Sequence, residues 1–322
     1  MRVPRRALLA GLASPLALSC PALAQAPWPS RTIRFIVPFA PGGPVEIPAR
    51  FIAEQLSPRL GQPVIVEAKP GAGGALGIQS VAQANDPHLM LVTTSAIAIL
   101  PALMKEPGFD PLADFTPVSL LTDAPMIFLA RPDSPVRDLE ELLAKARAKP
   151  GSISYGSSGA GSTTHLGGAL FCSMAGVDLL HVPYRGAAQA VNALYAGDTD
   201  LMVTGMGEAM PHLREKRLRA IAVTGRGRIP ALPEVPAAME RVPDYVITIW
   251  YGFFGPRGLP PGLAERLATE IAPLRDGSAL AERFRGTGVE LLLTPPASLA
   301  ERMAREVPQW KRIAAAANLR AE

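Results

Sequence analysis

From Thr32 onward the chain alternates short runs rich in β-branched and aromatic residues with stretches whose apolar residues recur at helical spacing, joined by short connections. Thr32 to Phe39 reads as a strand that ends at Pro41-Gly42-Gly43. Ala49, Ile52, Ala53, Leu56 and Leu60 then share one helical face, and Gly61 stands where a C-cap glycine belongs. Val64 to Glu67 is a second strand, followed by the loop Lys69 to Gly74 and a small-residue helix from about Leu76 to Ala84. Leu89 to Thr93 is a third strand. A β-α-β-α-β order with such connections predicts an α/β fold, a mostly parallel sheet covered by helices.

The pattern breaks at Thr122-Asp123-Ala124-Pro125 and restarts at Met126-Ile-Phe-Leu-Ala130. Strands follow around Ser152 to Tyr155, Leu179 to Val182, Leu201 to Thr204 and Leu218 to Val223. The proline-rich stretch from Arg226 to Asp244 reads as surface connection. Val246 to Phe254 returns as an apolar strand, and two helices, roughly Gly262 to Leu274 and Ser298 to Ala317, close the chain. The breaks suggest two α/β lobes crossed more than once by the chain.

One stretch points to chemistry. Tyr155-Gly-Ser-Ser-Gly-Ala-Gly-Ser-Thr-Thr-His-Leu166 joins a strand-like segment to a helix-like one. Its glycines let the backbone turn tightly, and Ser162, Thr163 and Thr164 are helix-capping residue types. Free N–H groups, hydroxyls and the positive end of a helix dipole together suit a small anion, above all a carboxylate.

The N-terminus carries an export signal. Arg2, Arg5 and Arg6 precede an apolar run from Ala7 to Ser19, shorter than the ~20 residues a membrane span needs. Ala22-Leu23-Ala24 fits the small-x-small cleavage pattern, so residues 1–24 are expected to be removed. Arg5-Arg6 leaves both general and twin-arginine export open. The formal charge of +4 includes those three arginines, which leaves the mature chain near neutral, without an electrostatic case for nucleic acid or an anionic membrane. With Cys20 lost, Cys172 has no partner for an internal disulfide, and the fold must rest on its core.

Several stretches together resemble the tripartite tricarboxylate transporter substrate-binding proteins, the Bug family. They are Pro29-Ser30-x-Thr32-Ile-Arg-Phe-Ile-Val-Pro-Phe39-x-Pro41-Gly42-Gly43, Gly61-Gln-Pro-Val-Ile-Val-Glu67 with Pro70-Gly-Ala-Gly-Gly74, Asp114-Phe-Thr-Pro-Val-Ser-Leu-Leu121, the run at 155–166, His181-Val-Pro-Tyr-Arg-Gly186, and Trp250-Tyr-Gly252. The resemblance implies a two-domain periplasmic binding protein (type II-like), each domain a mostly parallel sheet flanked by helices, with the ligand in the cleft between them. It further implies a discontinuous first domain, 27–123 with 246–322, around a second, 124–245. The implied ligands are small carboxylates, and the implied partner is a membrane permease or, alternatively, a sensor kinase. A monomer that uses no cofactor and no metal is expected.

By the same resemblance two strand-to-helix loops hold the ligand. Phe39, Gly42, Gly43 and Glu46 belong to the first, and Ser157, Gly161, Ser162 and Thr163 to the second, with Ser95 and Thr204 nearby. Glu46 stands where the family commonly has an aspartate. Pro44 and Pro48 flank it and predict a helix that begins near Ile47 or Pro48. Ile97 and Leu100 replace two polar residues common in the family, and Val203-Thr204 replaces Phe-Asp. Those departures suggest a less polar pocket and argue against an amino acid ligand.

Enzymatic readings have little support. Gly71-Ala-Gly-Gly-Ala-Leu-Gly77 misses a dinucleotide fingerprint by one place, and no Walker loop, nucleophile elbow or His-Glu-x-x-His occurs. An exported serine hydrolase using Ser157 or Ser162 with His165 is the remaining catalytic alternative, and the chain is expected not to be an enzyme.

Overall fold

The computed structural model describes residues 28–285 and 287–316, so the expected export signal lies outside the described residues. In chain order the elements are β1 (Ile33–Val37), α1 (Glu46–Leu60), β2 (Val64–Ala68), α2 (Ala75–Ala84), β3 (Leu89–Thr94), α3 (Ala96–Leu103), β4 (Phe115–Ala130) and α4 (Leu139–Ala148). Then come β5 (Ser154–Ser157), α5 (Thr163–Ala175), β6 (Leu180–Pro183), α6 (Ala187–Ala196), β7 (Leu201–Gly205), α7 (Met206–Arg214) and β8 (Arg219–Val223). The chain closes with β9 (Thr248–Pro256), α8 (Leu263–Ile271), α9 (Ala279–Phe284), β10 (Glu290–Leu291) and α10 (Pro296–Ala316).

The strands form one path, β2-β1-β3-β9-β4-β7-β5-β6, with β8 and β10 also on β4. Its two outer ends are parallel, β2 and β3 on β1, and β6 and β7 on β5. The middle is antiparallel, because β4 and β9 are the strands by which the chain passes between the two halves. The sheet is therefore mixed. From Phe115 to Pro125 β4 pairs with β9, and from Met126 to Ala130 it pairs with β7 and β8. A single strand thus belongs to two half-sheets.

Alternation along the strands builds a core on each face. Ile33, Phe35 and Val37 of β1, with Met90 and Val92 of β3, pack against Ile52 and Leu56 of α1 and Leu267 and Ile271 of α8. Ile36, Leu89 and Leu91 face the other way, toward Ile78, Leu103, Met303 and Trp310. In the second half Phe128 joins Phe171 and Tyr155, whereas Ile127 and Leu129 join Leu194 and Met206. Apolar residues on both faces are what a sheet sandwiched by helices requires.

Local starts and stops follow from sequence. Gly61 ends α1 with φ +68°, and its N–H bonds the Ser57 carbonyl. α1 begins at Glu46, one residue ahead of Ile47 and not directly after Gly43, close to where the flanking prolines placed it. Pro48 then sits in the first turn, where its missing N–H would have had no intrahelical partner. Another helix follows β3 directly. Ala96 to Leu103 forms α3, and Ile97 and Leu100, each at most 1% exposed, are packed in the core on its account.

Candidate functional site

Strand-to-helix turns of both half-sheets meet around one cavity of about 800 Å³, within the range usual for small-molecule sites. Five such turns line it: those of β1 to α1, β2 to α2, β5 to α5, β6 to α6 and β7 to α7. All lie at the carboxyl ends of their strands, where open α/β sheets bind ligands. Each helix directs its first N–H groups and the positive end of its dipole toward that side. The sheet contributes a row of adjacent strand residues, Thr94, Tyr251 and Thr122, paired in register across β3, β9 and β4.

Seven of the sequence-predicted residues line the cavity: Phe39, Gly42, Gly43, Glu46, Ser162, Thr163 and Thr204. The other three stand behind it. Ser95 is 1% exposed and its hydroxyl lies 3.1 Å from that of Thr163, which ties the end of β3 to the start of α5. Ser157 is fully buried, with its hydroxyl 2.7 Å from His181 Nε2. Gly161 donates its N–H to His165 Nδ1 at 3.1 Å. Ile97 and Leu100 do not line the cavity, so they give no reason for a less polar pocket.

The first loop is folded around its own acid. Glu46 is 5% exposed, and its carboxylate accepts the Gly42 N–H through one oxygen and Arg50 Nε at 2.7 Å through the other. Its charge is thus neutralised and its oxygens engaged. Pro44 and Pro41 supply no N–H, so this turn offers a ligand fewer donors than the glycines suggested.

The second loop is held by hydroxyls. Ser162 caps α5 by accepting the His165 N–H at 3.2 Å and donates to the Gly159 carbonyl at 2.6 Å. Thr164 Oγ1 accepts the Ser158 N–H at 3.0 Å and lies 3.0 Å from Ser162 Oγ. With His165 N–H taken, those of Thr163 and Thr164 are left for a ligand. The two half-sheets also touch here. A Cβ on Gly73 would stand 3.2 Å from the Ala160 carbonyl, and Gly73 has φ +64°, so only glycine permits this approach without strain.

Beneath the loop His165 and His181 stack at 3.8 Å between ring centroids. Burial, and secondarily the charge of His165, lowers the His181 pKa from its ordinary 6.5 to about 3. Between those values the unfolded chain binds a proton that the folded chain refuses, so stability falls as pH drops below about 6.5. Thermal unfolding should show Tm lower by a few degrees at pH 5 than at pH 7.5. A His181→Gln variant should show a flatter slope, and equal slopes would remove His181 from the effect. The Ser157–His181 pair is not a nucleophile in waiting, because Ser157 has no exposed surface and does not line the cavity.

Four lining features escaped the sequence reading. The loop Tyr184 to Ala188 brings Arg185 to the cavity, and the turn Thr204 to Glu208 brings Glu208. The Pro70 to Gly74 turn lines it too, as does Tyr251, a strand residue that reads as easily as core. The glycine at the first of these turns and the basic residue beside it were visible in Tyr184-Arg185-Gly186, at the foot of a strand. Glu208 carried no such signal, since an acid in a helix's first turn usually serves the helix itself.

Comparison with known proteins agrees with this geometry. The family model for the tripartite tricarboxylate transporter family receptor matches residues 48–319. A relative from Pseudomonas sp. strain P51, the UPF0065 protein in the tcbD-tcbE intergenic region, is 35% identical over 97% of this chain and 94% of its own length. The structure of Rhodopseudomonas palustris MatC with bound malate superposes with TM-score 0.81, 32% identity and coverage of 88% of this chain and 99% of that one. R. palustris Rpa4515 with adipate gives TM-score 0.83, 30% identity, and coverage of 91% and 99%.

Proposed function

Since the chain belongs to the tripartite tricarboxylate transporter receptor family, a family of periplasmic binding proteins, we propose that it is a solute-binding protein that holds a small carboxylate in the cavity between its two half-sheets and delivers it to a membrane permease. The observation that carries this reading is the convergence of five helix N-termini on one cavity. A carboxylate there would accept N–H groups that have no other partner, each charged hydrogen bond contributing ~1.5–3 kcal/mol. The dicarboxylates bound by two structural neighbours are of the same chemical class.

The half-sheets correspond to two domains, 27–123 with 246–322 and 124–245, which open and close on the ligand as a monomer. The first proposed boundary lies two residues ahead of the point where β4 changes partners, between Pro125 and Met126, and the second just before β9. Export with cleavage after Ala24 would place the protein in the periplasm beside its permease. Binding occurs without turnover.

Thermal unfolding and titration calorimetry with di-, tri- and aromatic carboxylates test this directly. A ligand at 100 times its Kd should stabilise the fold by ~2.7 kcal/mol, and the bound compound should be recovered chemically unchanged. Failure of every carboxylate to bind, or conversion of one to product, would overturn the proposal.

A further inference from the structure

Building on the carboxylate reading, we infer that the ligand also carries a positively charged nitrogen, held between Glu208 and Tyr251. The charges of the lining are unevenly placed. Among the helices that begin at the cavity, α2, α5 and α6 have no acid in the first turn, whereas α1 has Glu46 and α7 has Glu208. Glu46 is neutralised by Arg50 and the Gly42 N–H. Glu208 is half-buried, lines the cavity, and makes no hydrogen bond or ion pair to a described residue. It is the acid in the lining whose charge no described cation offsets, and its field would repel a plain dicarboxylate brought against it.

A second group points to the same place. Tyr251 is 8% exposed and lines the cavity from β9, and its hydroxyl has no hydrogen-bond partner among the described residues. That hydroxyl keeps some exposure to the cavity, where a ligand can reach it. The Glu208 charge lies near enough to add to the effect of burial in raising the Tyr251 pKa, which keeps the phenol neutral. The two groups come from opposite half-sheets, one from α7 and one from β9. An ammonium group has three donors and no acceptor, and it would satisfy both the carboxylate and the phenol oxygen. The carboxylate of the same ligand would take the acid-free helix ends of α2, α5 and α6 and the exposed Arg185. This reverses the sequence-based argument from Thr204 against an amino acid ligand: the missing acid at 204 has a counterpart on the next turn.

Matched pairs decide the point: succinate against aspartate, and glutarate against glutamate, by calorimetry at fixed pH and salt. The wild type should favour the aminated member of at least one pair by about tenfold or more. Glu208→Gln should bring that ratio to near one, by weakening the aminated ligand and strengthening the plain diacid. Tyr251→Phe should lower the ratio part of the way. Unfolding curves for both variants check that the fold is kept. Binding of both pair members with equal affinity, or a ratio that survives Glu208→Gln, would overturn the inference and leave the carboxylate reading standing. Silence with every member of both pairs and with the wider carboxylate panel would overturn both.

Discussion

Replacing Arg302 with methionine is expected to lower the unfolding free energy by about 3–5 kcal/mol. Arg302 projects from α10 to the strands where the two half-sheets meet. Its guanidinium lies 2.6 Å from Asp123 Oδ2 of β4 and 2.8 Å from Glu306 Oε1, and it stacks 5.6 Å from the Trp250 ring. Glu306 in turn accepts Trp250 Nε1 at 2.8 Å, and Trp250 is fully buried. The Arg302 side chain is only 13% exposed and that of Glu306 15%, so water replaces little of what methionine removes. Two carboxylates would remain facing each other without their cation. Urea unfolding measures the loss. Adding Asp123→Asn and Glu306→Gln to the methionine variant should restore part of it. A loss below about 1 kcal/mol would mean that the cluster behaves as an exposed ion pair does.

Gly168→Ala is expected to destabilise by about 1–3 kcal/mol, against the ~1 kcal/mol gain that alanine normally brings to a helix interior. The added methyl would stand 2.2 Å from Cε2 of Tyr155, whose ring is 1% exposed and has no space into which to retreat. The displacement would not stop at the ring. Tyr155 donates its hydroxyl to the His165 carbonyl at 3.1 Å, and its ring lies 5.0 Å from that of His181, which holds Ser157. Ligand affinity should therefore fall severalfold along with stability. Gly207, in α7, gives the opposite expectation for stability. A methyl there meets nothing closer than Val289 at 4.0 Å, so Gly207→Ala should be neutral or stabilise by up to ~1 kcal/mol. Thermal and urea unfolding of the two variants side by side should show a loss for Gly168→Ala and none for Gly207→Ala.

Much of the architecture could be read from periodicity because both faces of each half-sheet are buried, so strands such as Ile33–Val37 and Leu89–Thr94 are strongly apolar runs bounded by turn residues. The continuity of β4 could not. Thr122-Asp123-Ala124-Pro125 has turn composition, and proline lacks the donor a ladder needs. The strand nevertheless runs through it in register, Thr122 to Pro125 opposite Tyr251 to Thr248; the register shifts lie ahead of it, between Pro117 and Ser119 and between Leu120 and Thr122, and such bulges leave no mark in sequence. The run Ala96 to Leu103 hid a helix for another reason: a short, uniformly apolar segment has no polar face from which to read a period. In the cavity, Ser162 and Thr163 were legible because capping chemistry is local. Tyr251 and Glu208 were not. That they line one cavity depends on β9 returning between β3 and β4, a pairing across the whole second half-sheet.

That return also sets an order of completion. A chain that emerges from its N-terminus first presents β1, β2 and β3 as a fragment whose β3 edge has nothing beside it. The strands of the second half-sheet, begun later, have all been delivered once Val223 has emerged. Only after Pro256 can β9 slot in and close the first. The half begun earlier thus finishes last, its unpaired edge open to other chains in the interval, and the protein gains a binding cavity only near the end of its emergence. Such late, distant pairing is slow to form, which makes the interval before β9 arrives the stage at which this fold most needs protection.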